Sequence, residues 1–590
     1  MRIHFIFPAF IFLLLFSSGT AWTGEPPFTV TILNEHESFR SNSIITLRLQ
    51  IDNHTPHIRE GVLETTLSGT LMPLIHGIPL TLVLGINSRV VILPPTLQVG
   101  GEAQVRFRFI EGGKSIEAGT VKLSSSSSTR THVVLLVTSE QKAHDSSTFL
   151  QLERLTAKQN GNISPRTAFS TLRAEELPQN PLAYFAYDIV ALNQRTLATA
   201  KAKSLDALAH WVDAGGSVFI HLTDESQIPE AAQTFLAHLR IDEAPGSSGG
   251  FTSPGLGRAV VWRQSMPAEG SATPEWDKAA MWLWKTSPEL ITRKDSRSYY
   301  NEEKTGNALR QKLSEKLSTG ARALPFGMVA GMFLGFVIAA VAADYFLLGR
   351  KYRKFTWILF PLECVAFAWA LMAFANHRMG INERSEAIVL TDIGIDGRVL
   401  RETKITAYLP GSDGPGEHAA SGAISTPDRS DQWSSYFYRA TMNAPVIPRY
   451  LGNLGGAMTI QTQRSKWTPC FFRDTRLQGG LAAPDLAWAK WESSKTGTTP
   501  PDSGYEITRV SGNDTVSPGI RDLARLFTTH EASWNRAEPV SQYSPNAGAF
   551  SLEDLIFPLK GNDRDIIIAV KTVGTTTHVF RKIVRNRPPQ

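Results

Sequence analysis

Two apolar stretches in the middle of the chain, residues 323–348 and 355–375, constrain the fold more than any other feature. Each carries one charged residue, Asp344 in the first and Glu363 in the second. Crossing ~30 Å of hydrocarbon takes about 20 apolar residues, and a helix satisfies all of their backbone groups internally. The pattern predicts two transmembrane helices. Between them, residues 349–354 hold Arg350, Lys351, Arg353 and Lys354, which the positive-inside rule places in the cytoplasm. Both outer flanks carry cations too, so the orientation rests on the N-terminus. There Arg2 precedes the apolar residues 3–16, and Gly19 and Ala21 stand where a leader peptidase needs small side chains. Residues 1–21 therefore read as a signal peptide, with an apolar run too short to span a bilayer. The expected topology exports residues 22–322, dips the hairpin to the cytoplasm and returns residues 380–590 outside. This makes it a membrane protein with its bulk on the exported side.

Within the first span Gly327, Gly331, Gly335, Ala339 and Ala343 recur every fourth residue. Such a stripe lets a second backbone approach closely. It suits packing against the other helix of the hairpin, or self-association or docking to a membrane partner. Asp344 and Glu363 would lie about one turn apart in an antiparallel hairpin. Acids within a membrane are candidate functional groups, although two helices are too few for a transporter core.

Length and composition bound the rest. At about 100–200 residues per domain, 590 residues suggest three or four units. An apolar fraction of 42% with 19% charged residues argues for folded domains. A net charge of +6, with no basic cluster on one domain, argues against nucleic-acid binding. Two cysteines exclude a disulfide scaffold and a Cys-rich zinc module. No histidine or carboxylate spacing suggests a metal, and no cofactor is expected.

Residues 25–125 alternate with period two, as in Phe28, Val30 and Ile32 or Val105, Phe107 and Phe109. Alternation punctuated by Asn, Gly and Pro predicts an immunoglobulin-like β-sandwich. The run Gly112-Gly113-Lys114-Ser115 imitates a phosphate loop, but Arg108 stands where that loop needs its first glycine, so a hairpin turn is expected. In residues 130–265 the period changes. Continuous apolar runs at 132–137 and 188–192 predict strands buried on both faces, while Leu205, Leu208, Ala209 and Val212 fall at helical spacing before Gly215-Gly216. Alternating strand and helix predicts a parallel sheet with helices on both faces.

Through Tyr187-Asp188-Ile189-Val190-Ala191-Leu192 and residues 208–218, this stretch resembles the class I glutamine-amidotransferase-like domain. The resemblance implies a flavodoxin-like α/β fold and, in active members, a Cys nucleophile with a His-Glu pair. The chain's first cysteine is Cys364, inside a predicted membrane helix, so the nucleophile is missing. His221 and Asp224 fall past a strand end, where α/β ligand sites gather, though polar loop residues also collect there. Residues 266–322 form a connector with Trp276, Trp282 and Trp284, expected to pack internally, and residues 305–317 an amphipathic helix. Residues 381–590 read as a second β-rich, sandwich-like domain: a hairpin turns at Asp396-Gly397, another closes over residues 566–584, and residues 410–430 read as a long loop.

The architecture as a whole resembles uncharacterised bacterial membrane proteins that join an exported β-sandwich, a catalytically empty amidotransferase-like domain and a membrane hairpin. Members often occur beside MoxR-type ATPases and von Willebrand factor A-domain membrane proteins, which implies a place in an envelope complex. The function expected is that of a non-enzymatic, membrane-anchored envelope protein whose exported domains bind partners. The alternatives are a hydrolase or carbohydrate-active enzyme using Asp188, Asp224 or Glu225, and a ligand sensor.

Overall fold

The computed structural model describes residues 27–33, 39–40, 43–68, 74–96, 103–123, 125–126, 131–138, 166–222, 228–239, 249–264, 274–283, 313, 316–317, 326–343, 345–346, 355–379, 382–428, 447–477, 506–510 and 564–586. Residues 1–21, Asp224, Glu225, Trp284, Asp344, Arg350, Lys351, Arg353 and Lys354 lie outside these ranges.

The N-terminal strands are β1 (Phe28–Ile32), β2 (Phe39–Arg40), β3 (Ser43–Asn53), β4 (Arg59–Ser68), β5 (Leu74–Leu82), β6 (Gly85–Thr96), β7 (Ala103–Glu111), β8 (Lys114–Leu123) and β9 (Ser125–Ser126). One sheet runs β1-β3-β6, and β5, β4, β7 and β8 lie in a second. The period-two pattern explains the layers. Val105, Phe107 and Phe109 turn inward from β7 while Gln104 and Arg106 turn out, and Phe28 of β1 meets Phe109 edge-on at 5.2 Å. Gly112 and Gly113, at φ 53° and 80°, close the β7–β8 hairpin in the left-handed region that the expected turn requires.

The next unit holds β10 (Thr131–Thr138), β11 (Arg166–Arg173), β12 (Ile189–Asn193), α1 (Gln194–Thr199), α2 (Ala202–Asp213), β13 (Ser217–His221), α3 (Glu230–His238), β14 (Gly249–Thr252), β15 (Arg258–Trp262) and α4 (Pro274–Leu283). Its sheet runs β11-β10-β12-β13-β15-β14, parallel except for β14. Strands covered on both faces need continuous apolar runs, and Val134, Ile189, Val190 and Ile220 are fully buried. On the helical side α4 packs Trp276 against Trp262 at 4.8 Å, and Trp276 and Trp282 of the expected tryptophan cluster are buried. Gly257, in the turn before β15, lies against the end of α2 where backbones crowd: a Cβ would overlap the carbonyl oxygens of Val212 and Gly216. Gly257→Ala should therefore cost about 3 kcal/mol, the upper end of overpacking penalties, because neither obstacle is a movable side chain. Denaturant unfolding followed by circular dichroism tests this, and a loss below about 1 kcal/mol refutes the crowding argument.

Two apolar helices follow, α5 (Phe326–Ala343) and α6 (Thr356–Met379). By length and apolarity, residues 356–378 suffice to cross a membrane, whereas the apolar helix at 326–342 is shorter. The helices meet through Phe336 and Phe367, stacked at 4.4 Å. A Cβ built on Gly327, Gly331 or Gly335 meets no described atom within 4 Å. The glycines are therefore not where the two helices touch; the aromatic rings are.

The C-terminal strands are β16 (Arg384–Ile393), β17 (Val399–Leu409), β18 (Gly414–Ser421), β19 (Ile424–Asp428), β20 (Arg449–Gly452), β21 (Ala457–Arg464), β22 (Cys470–Arg476), β23 (Glu506–Val510), β24 (Arg564–Val573) and β25 (Thr576–Asn586). The expected hairpins β16–β17 and β24–β25 are present. Within residues 410–430, read from their Gly, Pro, Ser and Asp content as a loop, residues 414–421 and 424–428 instead form β18 and β19. The inward positions of β18 are Gly416, His418 and Ala420, so no large apolar residue marks the alternation.

These strands divide between two sheets. One runs β19-β22-β17-β16-β25-β24-β23; in the other, β18-β21-β20 continues directly into β5-β4-β7-β8 of the N-terminal unit. The junction is a parallel pairing that sets Arg449, Tyr450 and Leu451 opposite Ile75, His76 and Gly77. A sheet thus runs across the boundary between residues 25–125 and 381–590. Helical residues Leu313 and Leu317 are buried against the other sheet, where Lys316 Nζ donates to Thr577 Oγ1 at 2.9 Å.

At the centre of that sheet Asp392 of β16 lies directly opposite Arg401 of β17 and Arg581 of β25. All three are buried. Arg581 Nε donates to Asp392 Oδ1 at 2.6 Å and Arg401 Nε to Oδ2 at 3.1 Å, so each oxygen faces one guanidinium. Burial pulls the Arg581 guanidinium down from its ordinary value, while Asp392 pulls it up. Arg401 Nη1 also reaches Ala214 O at 3.5 Å, and Leu256 packs with Leu400 and Ile583, which ties this sheet to the end of α2.

Candidate functional site

A cleft of about 580 Å³ opens where the N-terminal strands, the α/β unit and a C-terminal turn meet. Ligand sites commonly fall in the range of about 300–1,000 Å³ and favour domain junctions. Its walls come from β3, β5 and β6, from the segment between β11 and β12, and from Asn453 and Leu454 after β20. Three polar contacts hold the walls together. Arg48 Nη1 of β3 donates to Glu176 Oε2 at 3.0 Å. Asn180 Nδ2 donates to Leu454 O at 3.1 Å, while its Oδ1 accepts from Leu182 N at the start of a 3₁₀ helix. His76 Nε2 reaches Gly452 O at 2.9 Å, across the β5–β20 junction.

His76 is the unusual group. It is 1% exposed, lines the cleft, and burial lowers its pKa to about 4. The ring is therefore neutral at pH 7. Because a carbonyl only accepts, Nε2 carries the proton and Nδ1 is a bare acceptor. Nδ1 is buried without a hydrogen-bond partner. Around it the cleft is mostly apolar, through Leu33, Leu49, Ile78, Val91 and Leu177, with Arg89, Lys201 and Glu175 adding charge.

The residues singled out in the sequence do not converge here. Asp188 is buried at the amino ends of the parallel strands, where its Oδ2 accepts from Val133 N at 2.7 Å. That is the end opposite the one where α/β sheets bind ligands. His221, at the carboxyl end of β13, bonds Gln264 O at 3.0 Å. The strand-to-helix turn after β12 is closed by Asn193 and Thr196 as a reciprocal capping pair. Glu363 sits half-buried on α6.

A second polar cluster escaped the sequence reading. Tyr408 Oη lies 3.2 Å from His418 Nδ1, and His418 Nε2 lies 2.9 Å from Asp474 Oδ1. Such a chain resembles an acid–base relay, but both imidazole nitrogens are engaged, and the ring is buried and stacked on Phe472 at 4.2 Å. Burial also pushes the thiol of nearby Cys470 up, away from the reactive thiolate. Among the described residues no group of three His, Cys, Asp or Glu side chains is placed to hold a metal ion.

No known protein family and no characterised protein matches this sequence. Matches among solved structures are slight. The alkylpurine DNA glycosylase AlkC of Pseudomonas fluorescens shares 7% identity over 18% of this chain and 31% of its own, with a TM-score of 0.14. A β-glucuronidase of Bacteroides uniformis shares 11% identity over 33% of this chain and 23% of its own, at a TM-score of 0.12. A Paenibacillus cycloisomaltooligosaccharide glucanotransferase shares 9% identity over 76% of this chain and 71% of its own, at 0.16. The chain spans about a third of the glycosylase's length. TM-scores this low carry no argument about fold or function. The chain is thus defined by its own geometry: a predominantly β protein with an α/β sheet and an apolar helix long enough to cross a membrane.

Proposed function

We propose that the chain is a membrane-anchored envelope protein that binds partners and catalyses no reaction, with the cleft beside β5, β6 and β20 as its binding site. The observation that carries this reading is the β20–β5 pairing, which ties N- and C-terminal strands into one sheet bordering that cleft. The membrane hairpin lies between those strands in sequence, so a body built this way holds its anchor at two points. The flavodoxin-like α/β unit serves as a wall, in keeping with its resemblance to an amidotransferase-like domain without a nucleophile. The small-residue stripe on α5 remains open to a partner helix or a second copy, and α5 and α6 are read as an antiparallel hairpin with its loop in the cytoplasm.

In the carboxylate-enzyme alternative, the cleft would use Glu175 and Glu176. Glu176 is instead tied to Arg48 and to Arg173 N at 3.2 Å, a structural engagement.

Two measurements test the reading. In a chain with both native cysteines replaced by serine, Tyr352→Cys should react with an impermeant maleimide only after membrane permeabilisation, and Ser421→Cys, on exposed β18, without it. The reverse pattern refutes the topology. A photo-crosslinking residue at position 454 should capture a defined envelope protein in intact cells, whereas one at exposed Ser421, outside the cleft, should not. No crosslink from position 454 refutes the cleft as the binding site.

A further inference from the structure

The cleft contains a free sheet edge. β6 ends the sheet β1-β3-β6, and five consecutive residues, 88–92, line the cleft. The direction of its backbone groups follows from the β1 side. Leu33 N donates to Arg48 O at 2.8 Å and His54 N to Pro27 O at 3.0 Å, so alternate residues of β3, including Arg48 and Gln50, face β1. Their neighbours on β6 are Val90 and Ser88. In an antiparallel ladder those partners form the non-hydrogen-bonded pairs, so the N–H and C=O groups of Ser88, Val90 and, two residues on, Ile92 point away from β3. No described strand takes them up, and the one printed side-chain contact on them is Arg89 Nη1 donating to Ser88 O at 3.2 Å, an exposed bond that an incoming N–H can replace. An open row of donors and acceptors is a template for another strand.

The surroundings favour a peptide. Val90, Ile86 and Leu84 are large, apolar and 49–64% exposed at this edge, Leu33 lines the cleft from the β1 side of β3, and Val91 and Leu49 are buried. An extended chain places side chains alternately on two sides, and each side here offers apolar contacts beside polar ones, Val90 and Ile92 next to Ser88 on one and Val91 next to Arg89 on the other. Arg89 and Lys201 make no ion pair with a described carboxylate, while Glu175 is the cleft's one acid outside an ion pair. The cleft is thus short of negative charge. His76 Nδ1 adds a buried acceptor that lacks a donor.

We infer that the cleft binds an extended, apolar peptide segment carrying an acidic residue, which pairs as an added strand with the edge of β6 at Ser88, Val90 and Ile92. The occupant is a segment of a partner protein, and the inference rests on the binding function proposed above. Five residues of strand span about 16 Å, so the recognised core is about five residues long.

The test uses the full chain in nanodiscs and a fluorescent pentapeptide, acetyl-Val-Asp-Val-Thr-Val-amide. Anisotropy should show saturable binding. Val90→Pro removes an N–H that faces the cleft, and proline is tolerated where an edge strand's N–H faces outward, so the fold should persist by circular dichroism. Affinity should fall at least about tenfold, since main-chain bonds carry binding by strand addition. The same peptide N-methylated at alternate residues should lose affinity for the unmodified protein, which keeps the test valid even if Val90→Pro fails to fold. Absence of saturable binding, equal affinity for the N-methylated peptide, or self-association of the chain through β6 overturns the inference. A crosslink from position 454 that survives Val90→Pro would refute strand addition and leave the binding function standing. Loss of every crosslink from position 454 in the unmodified sequence would refute that function itself.

Discussion

Asp392→Ala should lower the unfolding free energy of the C-terminal sheet by about 3–5 kcal/mol, the cost of breaking a buried ion pair by removing one partner. Arg401 and Arg581 would then face each other across an empty position, both buried and without the carboxylate they share. Replacing all three residues by leucine or methionine should restore most of the loss, because the desolvation penalty disappears with the charges. Denaturant unfolding monitored by hydrogen exchange at β16, β17 and β25 measures both. A loss under about 1 kcal/mol for Asp392→Ala, or a triple variant no better than the single one, would show that the network is solvated. Because Arg401 also reaches Ala214, the single variant should loosen the contact with α2 as well.

Acid should destabilise the sheet junction through His76. Its folded pKa of about 4 lies below the ordinary 6.5, so the folded state holds the neutral ring while the unfolded chain takes up a proton. The stabilisation is complete above pH 6.5 and is lost progressively between pH 6.5 and about 4. At 1.36 kcal/mol per unit, the loss amounts to about 3 kcal/mol by pH 4, with none further below that. His76→Gln offers the Gly452 carbonyl an amide donor and removes the titration. The difference in unfolding free energy between the unmodified and His76→Gln chains should therefore change with pH across that window. Parallel pH curves would refute the assignment, as would an NMR titration of His76 with a midpoint above pH 6.

Elements whose signal is local were legible in the sequence. Gly112-Gly113 and Asp396-Gly397 marked hairpins because the turn itself needs those residues. The buried strands β10, β12 and β13 showed as apolar runs because both faces are covered. β18 and β19 were not legible: the inward residues of β18 are Gly416, His418 and Ala420, and Gly416 is small because the Arg464 side chain lies over it. The Tyr408–His418–Asp474 chain and the Asp392 pair of arginines were invisible for a related reason. Each joins residues that neighbour one another only across strands, and a lone Asp in a strand reads as a surface position.

The cleft shows the same division more plainly. His76 in the sequence is one of 14 histidines. Only the arrival of β20 beside β5 buries it, supplies the Gly452 carbonyl and lowers its pKa. The free edge of β6 likewise exists only because β3 takes its other side.

By itself the sequence determined the apolar helices, the change from period two to buried parallel strands, and the absence of a cysteine from the α/β unit. These are properties of composition and of short-range spacing, where side-chain periodicity and the demands of backbone hydrogen bonding act within one segment. The tertiary structure alone decided that a C-terminal strand completes an N-terminal sheet, that two guanidiniums share one buried carboxylate, and that a sheet edge opens into a cleft. Those depend on which strand edges meet and on how much water is left between them, and no local pattern encodes either.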